Sequence, residues 1–352
     1  MRVLFVPMYS DIWASSRYRA YLWAEALETE GFRCAVLPPP HSVVSRLAYF
    51  LRLVVMARRS SVVFVQKKLL PIWLLRLLHA LNPHIVFDFD DAIFATPSDA
   101  PNDSEGAPSA ENARRLDATL RTVRLVVCGN HYLQSYASQF NTNAIVVPTC
   151  IDLDRLPPKP PDRASGDRVV LGWTGRRATL TYLQIIEDVM RELEGCAPGR
   201  FVLRIVADRV DTEPFEIPGV AVENIVWTLD SEYSVIDGFD VGIMPLTDDP
   251  WAAGKCGFKM LQYMSRGVPT VASPVGVNRE IIEDGVNGFL ADETTEWVDR
   301  LLRLAEDPVL REEQGAAGFE TVRDSFSFRA NLPLLAGTLM ELSGTPWPPE
   351  ES

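Results

Sequence analysis

Short apolar runs alternate with longer segments of helical periodicity through the first half of the chain. Runs of four to eight residues that are rich in β-branched and aromatic side chains are typical of buried strands. Six such runs lie at 2–6, 33–37, 61–65, 84–89, 124–128 and 144–148. Helices are predicted between them at 16–30, 43–58, 70–81, 110–122 and 131–139. This alternation predicts βαβ units and a mostly parallel sheet with helices on both faces.

A proline-rich stretch at 152–167 then interrupts the alternation. It holds four prolines and has no apolar periodicity, which predicts a linker. The alternation resumes with strands at 168–173, 201–207, 221–227, 239–246, 269–273 and 288–291. Helices are predicted at 179–194, 257–266, 277–283, 294–306, 308–323 and 328–342. The predicted fold class is α/β, with two Rossmann-like parallel-sheet domains spanning 1–155 and 156–326.

Two open α/β sheets in tandem also indicate where a ligand binds. Ligands of such sheets bind beyond the carboxyl ends of the strands. When two such domains face each other across a cleft, these edges oppose each other. We therefore expect the site to be built from the loops that follow strands in both halves.

Composition narrows the class of protein. The chain has 352 residues, of which 47% are apolar and 23% are charged, as in folded globular proteins. Its net charge of −13 argues against a nucleic-acid-binding function. No apolar run reaches the roughly 18 residues of a membrane-spanning helix. The five cysteines are dispersed and form no C-x-x-C pair, which favours reduced thiols in a cytoplasmic protein.

The charge is distributed unevenly. Residues 32–86 contain eight basic and no acidic residues, so the rest of the chain carries −21. Within this segment, 43–59 mixes four arginines with large apolar side chains. One interpretation is contact of the basic segment 43–76 with the inner surface of a membrane. The other is a helix that faces the core and keeps a solvated basic edge.

The strongest chemical signal lies at 254–291, which reads as a loop, a helix, a turn, a buried strand and a second helix. Gly276 directly precedes that second helix, whose first N–H groups, at Val277 and Asn278, favour an anion. Lys255 and Lys259 lie four residues apart at the start of the preceding helix. This combination suits a diphosphate.

The segment "QYMSRGVPTVASPVGVNREII" resembles glycosyltransferase family 4, a retaining family of the GT-B fold. The resemblance implies a donor site for a nucleoside diphosphate sugar in the second half, and no metal or other cofactor. Glu280 matches the glutamate that follows the family's glycines. The sequence departs from the family where its two glutamates are expected, because Gly254 and Gln262 stand there. A glutamine still hydrogen-bonds a hydroxyl, as in the family's ribose contact, but carries no charge.

A second part of the resemblance is "LGWTGRRATLTYL" at 171–183. Family members carry an arginine directly after this glycine and a lysine a few residues later, both on the diphosphate. Gly175 with Arg176 or Arg177 matches the first part, and no lysine follows. We therefore expect Lys255 or Lys259 to supply the missing charge. Alternatively, Arg176 and Arg177 are solvated surface residues.

Three groups in the first half are candidates for the acceptor side. After the first strand, Ser15 and Ser16 precede Arg17 and Arg19, which either hold an anionic group or are structural; Ser15 also suits a helix N-cap. In "FDFDDAIF", Asp90 or Asp91 suits contact with an acceptor hydroxyl or a base role. Metal binding by Asp88, Asp90 and Asp91 is the less favoured alternative, and a helix N-terminal cap is the structural one.

His131 follows the fifth strand, where it either hydrogen-bonds the donor sugar or transfers a proton. The alternative is a histidine that only caps the helix or packs at its start. The predicted function is transfer of a hexosyl-type sugar to a hydroxyl of a saccharide or lipid-linked acceptor, in polysaccharide or glycoconjugate synthesis. Arg176, Lys255, His131 and Asp90 are the predicted catalytic residues. The alternatives are a nucleotide-sugar epimerase on the same fold and a non-catalytic sugar-nucleotide-binding subunit. By the same resemblance, 327–352 should form a terminal helix that returns to the first domain.

Overall fold

A computed structural model describes residues 1–40, 43–97, 110–157, 168–208 and 214–344. Most of the predicted linker, 158–167, lies outside these residues, and so does the end of the predicted terminal segment, 345–352. Within the described part of the chain, the strands form two six-stranded sheets. All strand pairs in both sheets are parallel. The predicted fold class of two Rossmann-like domains is thereby confirmed.

The first sheet has the order β2-β1-β3-β4-β5-β6. Its strands are β1 (Arg2–Val6), β2 (Arg33–Val36), β3 (Val62–Gln66), β4 (Ile85–Phe89), β5 (Leu125–Cys128) and β6 (Ala144–Val146). Alternate residues of the central strands face opposite sides: Val3 and Phe5 belong to one apolar cluster and Leu4 and Val6 to another. Helices therefore cover both faces, and the strands are buried on both sides as predicted.

The helices of this first domain connect its strands. They are α1 (Ala14–Ser16), α2 (Leu22–Thr29), α3 (Val43–Arg59), α4 (Ile72–Leu81), α5 (Ala110–Thr122) and α6 (His131–Ala137). The predicted helix 16–30 is interrupted, because a π-helical turn at Arg17–Tyr21 separates α1 from α2. Trp13 is the N-cap residue of α1, so the alternative of Ser15 as a helix cap is wrong.

The second sheet has the order β12-β11-β10-β7-β8-β9. Its strands are β7 (Val169–Gly175), β8 (Phe201–Ala207), β9 (Ala221–Val226), β10 (Val241–Met244), β11 (Thr270–Ala272) and β12 (Phe289–Leu290). Each strand lies where the apolar pattern predicts one. A 3-10 turn at Arg177–Leu183 follows β7 and leads into the first long helix of this second domain.

The helices of the second part of the chain are α7 (Gln184–Cys196), α8 (Pro250–Ala253), α9 (Phe258–Ser265), α10 (Asn278–Ile281), α11 (Thr294–Glu306), α12 (Pro308–Ser325) and α13 (Phe328–Ser343). α10 is only four residues long, shorter than the predicted 277–283. α13 packs against α2 of the first domain, where the rings of Trp23 and Phe328 lie 4.6 Å apart. No helix of the described residues is long and apolar enough to cross a membrane.

Candidate active site

The carboxyl ends of the strands in the two sheets meet at a cleft. A cavity of about 400 Å³ lies there, lined by both domains. Its polar walls come from Ser15, Lys67, Asp91 and Asn112 of the first domain and Arg176 of the second, and its aromatic walls from Tyr9, Trp13 and Trp251. The predicted position of the site, in loops that follow strands of both sheets, matches this cavity.

A lysine and two carboxylates form the first-domain wall of the cleft. Lys67 directly follows β3, and its ammonium group forms ion pairs with Asp90, at 3.1 Å, and with Asp91. The Ser15 hydroxyl donates a hydrogen bond of 2.7 Å to Asp90. Lys67 has a φ of 57°, a left-handed conformation that is unusual for a residue with a side chain. The backbone thus bends at the end of β3 where Lys67 reaches the carboxylates after β4.

Electrostatics keep Asp90 ionised. Burial alone would raise the pKa of the Asp90 carboxyl, but Lys67, Arg19 and the Ser15 hydroxyl outweigh burial and lower this pKa below its ordinary value. The same carboxylates raise the pKa of Lys67, against the opposing effect of burial. A carboxylate with a lowered pKa is a weak base. The geometry therefore favours Asp90 as a hydrogen-bond acceptor for a substrate hydroxyl over Asp90 as a proton-abstracting base.

Arg19 and Asp88 form a buried pair behind this wall. Both side chains are 1% exposed, and Arg19 binds Asp88 through two nitrogens and donates to the Val147 carbonyl at 2.6 Å. An anionic ligand at Arg19 would have to displace a buried carboxylate. The placement therefore favours the structural alternative for Arg19. Ser16 is also fully buried, and its hydroxyl donates to Gln66 at 2.8 Å.

Arg17 faces the second domain instead of the cavity. Its guanidinium donates to both oxygens of Glu232, at 2.6 and 2.9 Å, and the two side chains are 10% and 8% exposed. The neighbouring Tyr18 hydroxyl lies 2.8 Å from that of Tyr233. Burial raises the pKa of Glu232, and Arg17 opposes that rise. These four residues form a polar contact between the two domains.

The predicted donor residues after β7 come together with Lys259. A Cβ atom built on Gly175 would lie 3.0 Å from the Lys259 Cε, and the Lys259 ammonium lies 5.0 Å from the centre of the Trp173 ring. Arg176 is exposed and lies over the Trp13 ring of the first domain, at 4.8 Å. The Arg177 backbone N–H donates to Asp208 at 2.7 Å. Arg176 is thus the arginine of the pair that lines the cavity.

Lys255 lies at the seam between the domains. Its ammonium group is 5.3 Å from the rings of both Tyr182 and Trp251. The side-chain amide of Asn130, after β5, donates to the carbonyls of Gly254 and Lys255, at 3.2 and 3.0 Å. The first domain therefore fixes the backbone that carries Lys255.

Gly254 shows why one family glutamate is missing. A Cβ atom at Gly254 would lie 2.6 Å from the backbone nitrogen of Ala92 in the first domain. No side chain fits there while the domains stay in this arrangement. At the other glutamate position, Gln262 is 4% exposed and lies close enough to Glu232 and Tyr233 to affect the pKa of both. A carboxylate thus stands beside Gln262, although it comes from a different part of the chain.

The turn before α10 shows the close backbone approach predicted for Gly276. Its φ is +51°, and a Cβ atom there would lie 2.7 Å from the carbonyl oxygen of Ala253. Val277 and Asn278 are buried, and the Asn278 amide donates to the Ser273 carbonyl at 2.9 Å. The side chains of these two residues therefore support the turn. The Asn278 N–H donates to the Val275 carbonyl at 3.1 Å, so a ligand here would meet the N–H groups of Gly276 and Val277 instead. Glu280 is exposed on α10.

His131 is exposed at the first position of α6, and its Nδ1 lies 3.2 Å from the Gln134 side-chain oxygen. It does not line the cavity. The cap of α6 is Asn130, whose side chain accepts from the Leu133 N–H at 2.8 Å. His131 is therefore neither the helix cap nor packed, and its contact with a donor sugar stays a prediction.

The sequence interpretation did not single out Lys67, Asn130 or Glu232 as site residues. Lys67 and Asn130 are polar residues close after buried strands, and that signal was available for both. Glu232 carried no local signal, because its role depends on Arg17 in the other domain. Among the described residues, no three His, Cys, Asp or Glu side chains are grouped as a metal site. The carboxylates of "FDFDD" are instead paired with Arg19 and Lys67.

Comparison with known proteins finds a family match within the second domain. Residues 170–307 match the family model described as glycosyl transferases group 1. A segment of 88 residues is 31% identical to trehalose synthase of Pyrococcus horikoshii. It covers 25% of this chain and only 21% of that protein, so this relative extends far beyond the matched part.

Solved structures match the fold over nearly the whole chain. Sucrose-phosphate synthase from Thermosynechococcus elongatus has a TM-score of 0.73 at 13% identity, covering 98% of this chain and 100% of that one. HepE from Anabaena, in complex with UDP and glucose, has a TM-score of 0.69 at 14% identity, with 97% and 100% covered. A glycosyltransferase from Rickettsia africae has a TM-score of 0.69 at 13% identity, with 97% and 98% covered. The predicted resemblance is confirmed: the chain has the GT-B fold, and residues 170–307 of its second domain match the model of group 1 glycosyl transferases.

Proposed function

We propose that this protein transfers a sugar from a nucleoside diphosphate sugar to a hydroxyl group of a saccharide or lipid-linked acceptor, with retention of the anomeric configuration. The proposal places the reaction in the cytoplasm, in polysaccharide or glycoconjugate synthesis. The observation that carries it is the cleft itself. There Arg176, in a group 1 glycosyltransferase domain, faces Lys67 and Asp91 of the first domain across one cavity.

The donor side suits a leaving diphosphate. Departure of a nucleoside diphosphate leaves negative charge on the bridging oxygen, and fixed cations stabilise that charge in the transition state. Arg176 lines the cavity, Lys259 lies beside Gly175, and Lys255 is carried on backbone fixed by Asn130. The turn at Gly276 adds backbone N–H groups to this set. Catalysis then rests on positioning and charge stabilisation, without a covalent nucleophile.

The acceptor side suits a hydroxyl group. The carboxyl groups of Asp90 and Asp91 accept hydrogen bonds, while Lys67 and Ser15 hold Asp90 in place. Aromatic side chains at Tyr9, Trp13 and Trp251 offer flat apolar surfaces on which the C–H face of a sugar ring packs. In this scheme Asp90 orients the acceptor hydroxyl, and His131 has no assigned step.

The donor is tested first by thermal shift with UDP-, GDP-, ADP- and dTDP-sugars, each with and without EDTA. Because HepE was crystallised with UDP-glucose, UDP-sugars are the natural starting point. We expect one donor to raise the Tm and EDTA to change nothing. With Arg176→Ala, the same Tm shift should need about tenfold or more donor, because one charge-assisted contact with the diphosphate is lost. Arg191→Ala, which removes an exposed arginine of α7, is the matched control.

Turnover then separates the proposal from its rivals. With the identified donor, sugar release should depend on an added saccharide acceptor, and Lys255→Ala should lower kcat/KM. Interconversion of the donor without acceptor would instead indicate an epimerase, and binding without any turnover would indicate a binding subunit. If no sugar nucleotide shifts the Tm, or if the shift needs a divalent ion, the metal-free diphosphate site is wrong.

A further inference from the structure

Helix α3 has apolar residues on two opposite faces. Its inward stripe is Tyr49, Leu53 and Ala57, which are buried in the core of the first domain. Its outward stripe is Leu47, Leu51 and Val55, which are 69%, 62% and 49% exposed. The two stripes are offset by two residues, which is about half a turn around the helix. Packing against the core explains only the inward stripe.

The neighbouring helix extends the exposed stripe. α4 packs beside α3 and buries Leu74, Leu75 and Leu78, yet Trp73 and Leu77 are 63% and 43% exposed. We define the outward apolar face as Leu47, Leu51, Val55, Trp73 and Leu77. Five large exposed apolar side chains on two adjacent helices indicate a docking surface. Single exposed apolar residues elsewhere on the protein need no such explanation.

The rim of this face is basic. The exposed arginines of the two helices are Arg46, Arg52, Arg58, Arg59 and Arg76. No acidic residue occurs anywhere in 32–86, whereas the rest of the chain carries −21. An acidic protein with one basic face of this kind orients in the field of an anionic surface, because the rest of its surface is repelled.

We infer that the outward apolar face docks on an anionic lipid bilayer. Leu47, Leu51, Val55 and Leu77 would enter the boundary of the acyl chains, Trp73 would lie at headgroup depth, and the arginines would contact anionic headgroups. A second copy of this chain is the poorer occupant. A two-fold dimer through this face would bring the arginine rims of the two copies against each other.

The face begins at the edge of the cleft. Parallel strands point their carboxyl ends at the cleft, so the helix that follows a strand starts there. Lys67 lies in the cleft, and α4 begins five residues later, with Trp73 in its first turn. Leu47 lies in the second turn of α3, which follows β2. The docked protein would therefore hold its acceptor side next to the bilayer. This last step rests on the proposed function and implies an acceptor with a lipid anchor.

Vesicle sedimentation tests the docking. The full chain is mixed with vesicles of phosphatidylcholine alone or of phosphatidylcholine with phosphatidylglycerol. We expect binding only to the anionic vesicles. The double variant L51S/W73S should bind roughly tenfold or more weakly, because two exposed apolar side chains no longer insert. R52Q/R58Q should bind roughly 25-fold more weakly, at about fivefold per arginine, and added salt should reproduce this loss.

Matched controls carry the same changes outside the face. V309S/L229S removes two exposed apolar residues, and R191Q/R329Q removes two exposed arginines. Both should bind like the unaltered chain. Absence of binding to anionic vesicles, or equal loss in the controls, would overturn the inference. So would a dimer in light scattering that only L51S/W73S dissociates. Donor thermal shift should be the same in all four variants, so a failure of docking is distinguishable from a failure of the proposed function.

Discussion

Replacing Arg17 by methionine should destabilise the protein by leaving Glu232 buried without its cation. In the structure, Glu232 is 8% exposed and accepts two hydrogen bonds from Arg17, at 2.6 and 2.9 Å. Methionine keeps the apolar stem but removes both bonds and the charge. Loss of one partner of a buried ion pair costs about 3–5 kcal/mol. The Tyr18 hydroxyl, at 3.2 Å, and the Gln262 side chain remain beside Glu232, but neither neutralises the carboxylate.

The stability lost in Arg17→Met should depend on pH. Burial already raises the pKa of Glu232, with Arg17 opposing the rise, so the variant should raise this pKa further. A protonated Glu232 is less costly to bury than a carboxylate. In the variant, the folded state therefore holds this proton to higher pH than the unfolded state does. Its stability should fall as pH rises through that interval, so the deficit is larger at pH 7 than at pH 5.

Urea unfolding of the unaltered chain, Arg17→Met, Glu232→Gln and the double variant measures this effect. Glu232→Gln should be milder, because Arg17 also donates to the carbonyls of Asp11 and Ile12. The double variant should recover part of the Arg17→Met loss, since neutral glutamine needs no cation. If the variant instead relieves its buried charge by opening the cleft, small-angle scattering will show a larger radius of gyration. A deficit below about 0.5 kcal/mol, with unchanged scattering, would refute the reasoning.

Three further outcomes are expected. Cys196 is the exposed thiol of the native protein, and burial raises the pKa of the other four thiols above the ordinary thiol value. One thiol should therefore react quickly with Ellman's reagent in the native protein, and five should react after denaturation. Gly254→Ala should lower the free energy of unfolding by about 1–3 kcal/mol, because the new Cβ atom meets the backbone of the first domain. The control Gly195→Ala should not lower it, since nothing lies near that position. Equal Tm values for the two variants would contradict this prediction. Asp90→Asn should be less stable than the unaltered chain at pH 7 and equally stable in acid. The lowered pKa of Asp90 means that its carboxylate stabilises the folded state at neutral pH, and this stabilisation is lost as pH falls. A difference in the free energy of unfolding that does not change with pH would contradict this prediction.

The local pattern of apolar residues was sufficient to predict most of the fold. Every strand of both sheets lies on a predicted apolar run, because buried parallel strands need continuous hydrophobic side chains. The break in the helix at Arg17–Tyr21 was not predictable, since its residues fit helical periodicity on either side of the turn. α8 was also missed, because four residues are too few to show a period.

The site was predictable where it depends on strand ends. Asp91 and Arg176 follow strands, and both line one cavity. Asp90 also follows a strand, but it is buried beside the cavity and paired with Lys67. What sequence reasoning could not supply were partners from the other domain. The guanidinium of Arg17 was predicted to hold an anion, and the anion it holds is Glu232. Nothing near position 232 in the sequence indicates this.

The π-helical turn at Arg17–Tyr21 connects the two domains through consecutive residues. Arg17 and Tyr18 bind the second domain, and Arg19 binds the buried Asp88 of the first. A helix turns about 100° per residue, so deletion of Ala20 would rotate α2 relative to all of these contacts. Movement of Glu232 away from the first domain would therefore pull on a segment that is anchored to β4 only two residues further along the chain.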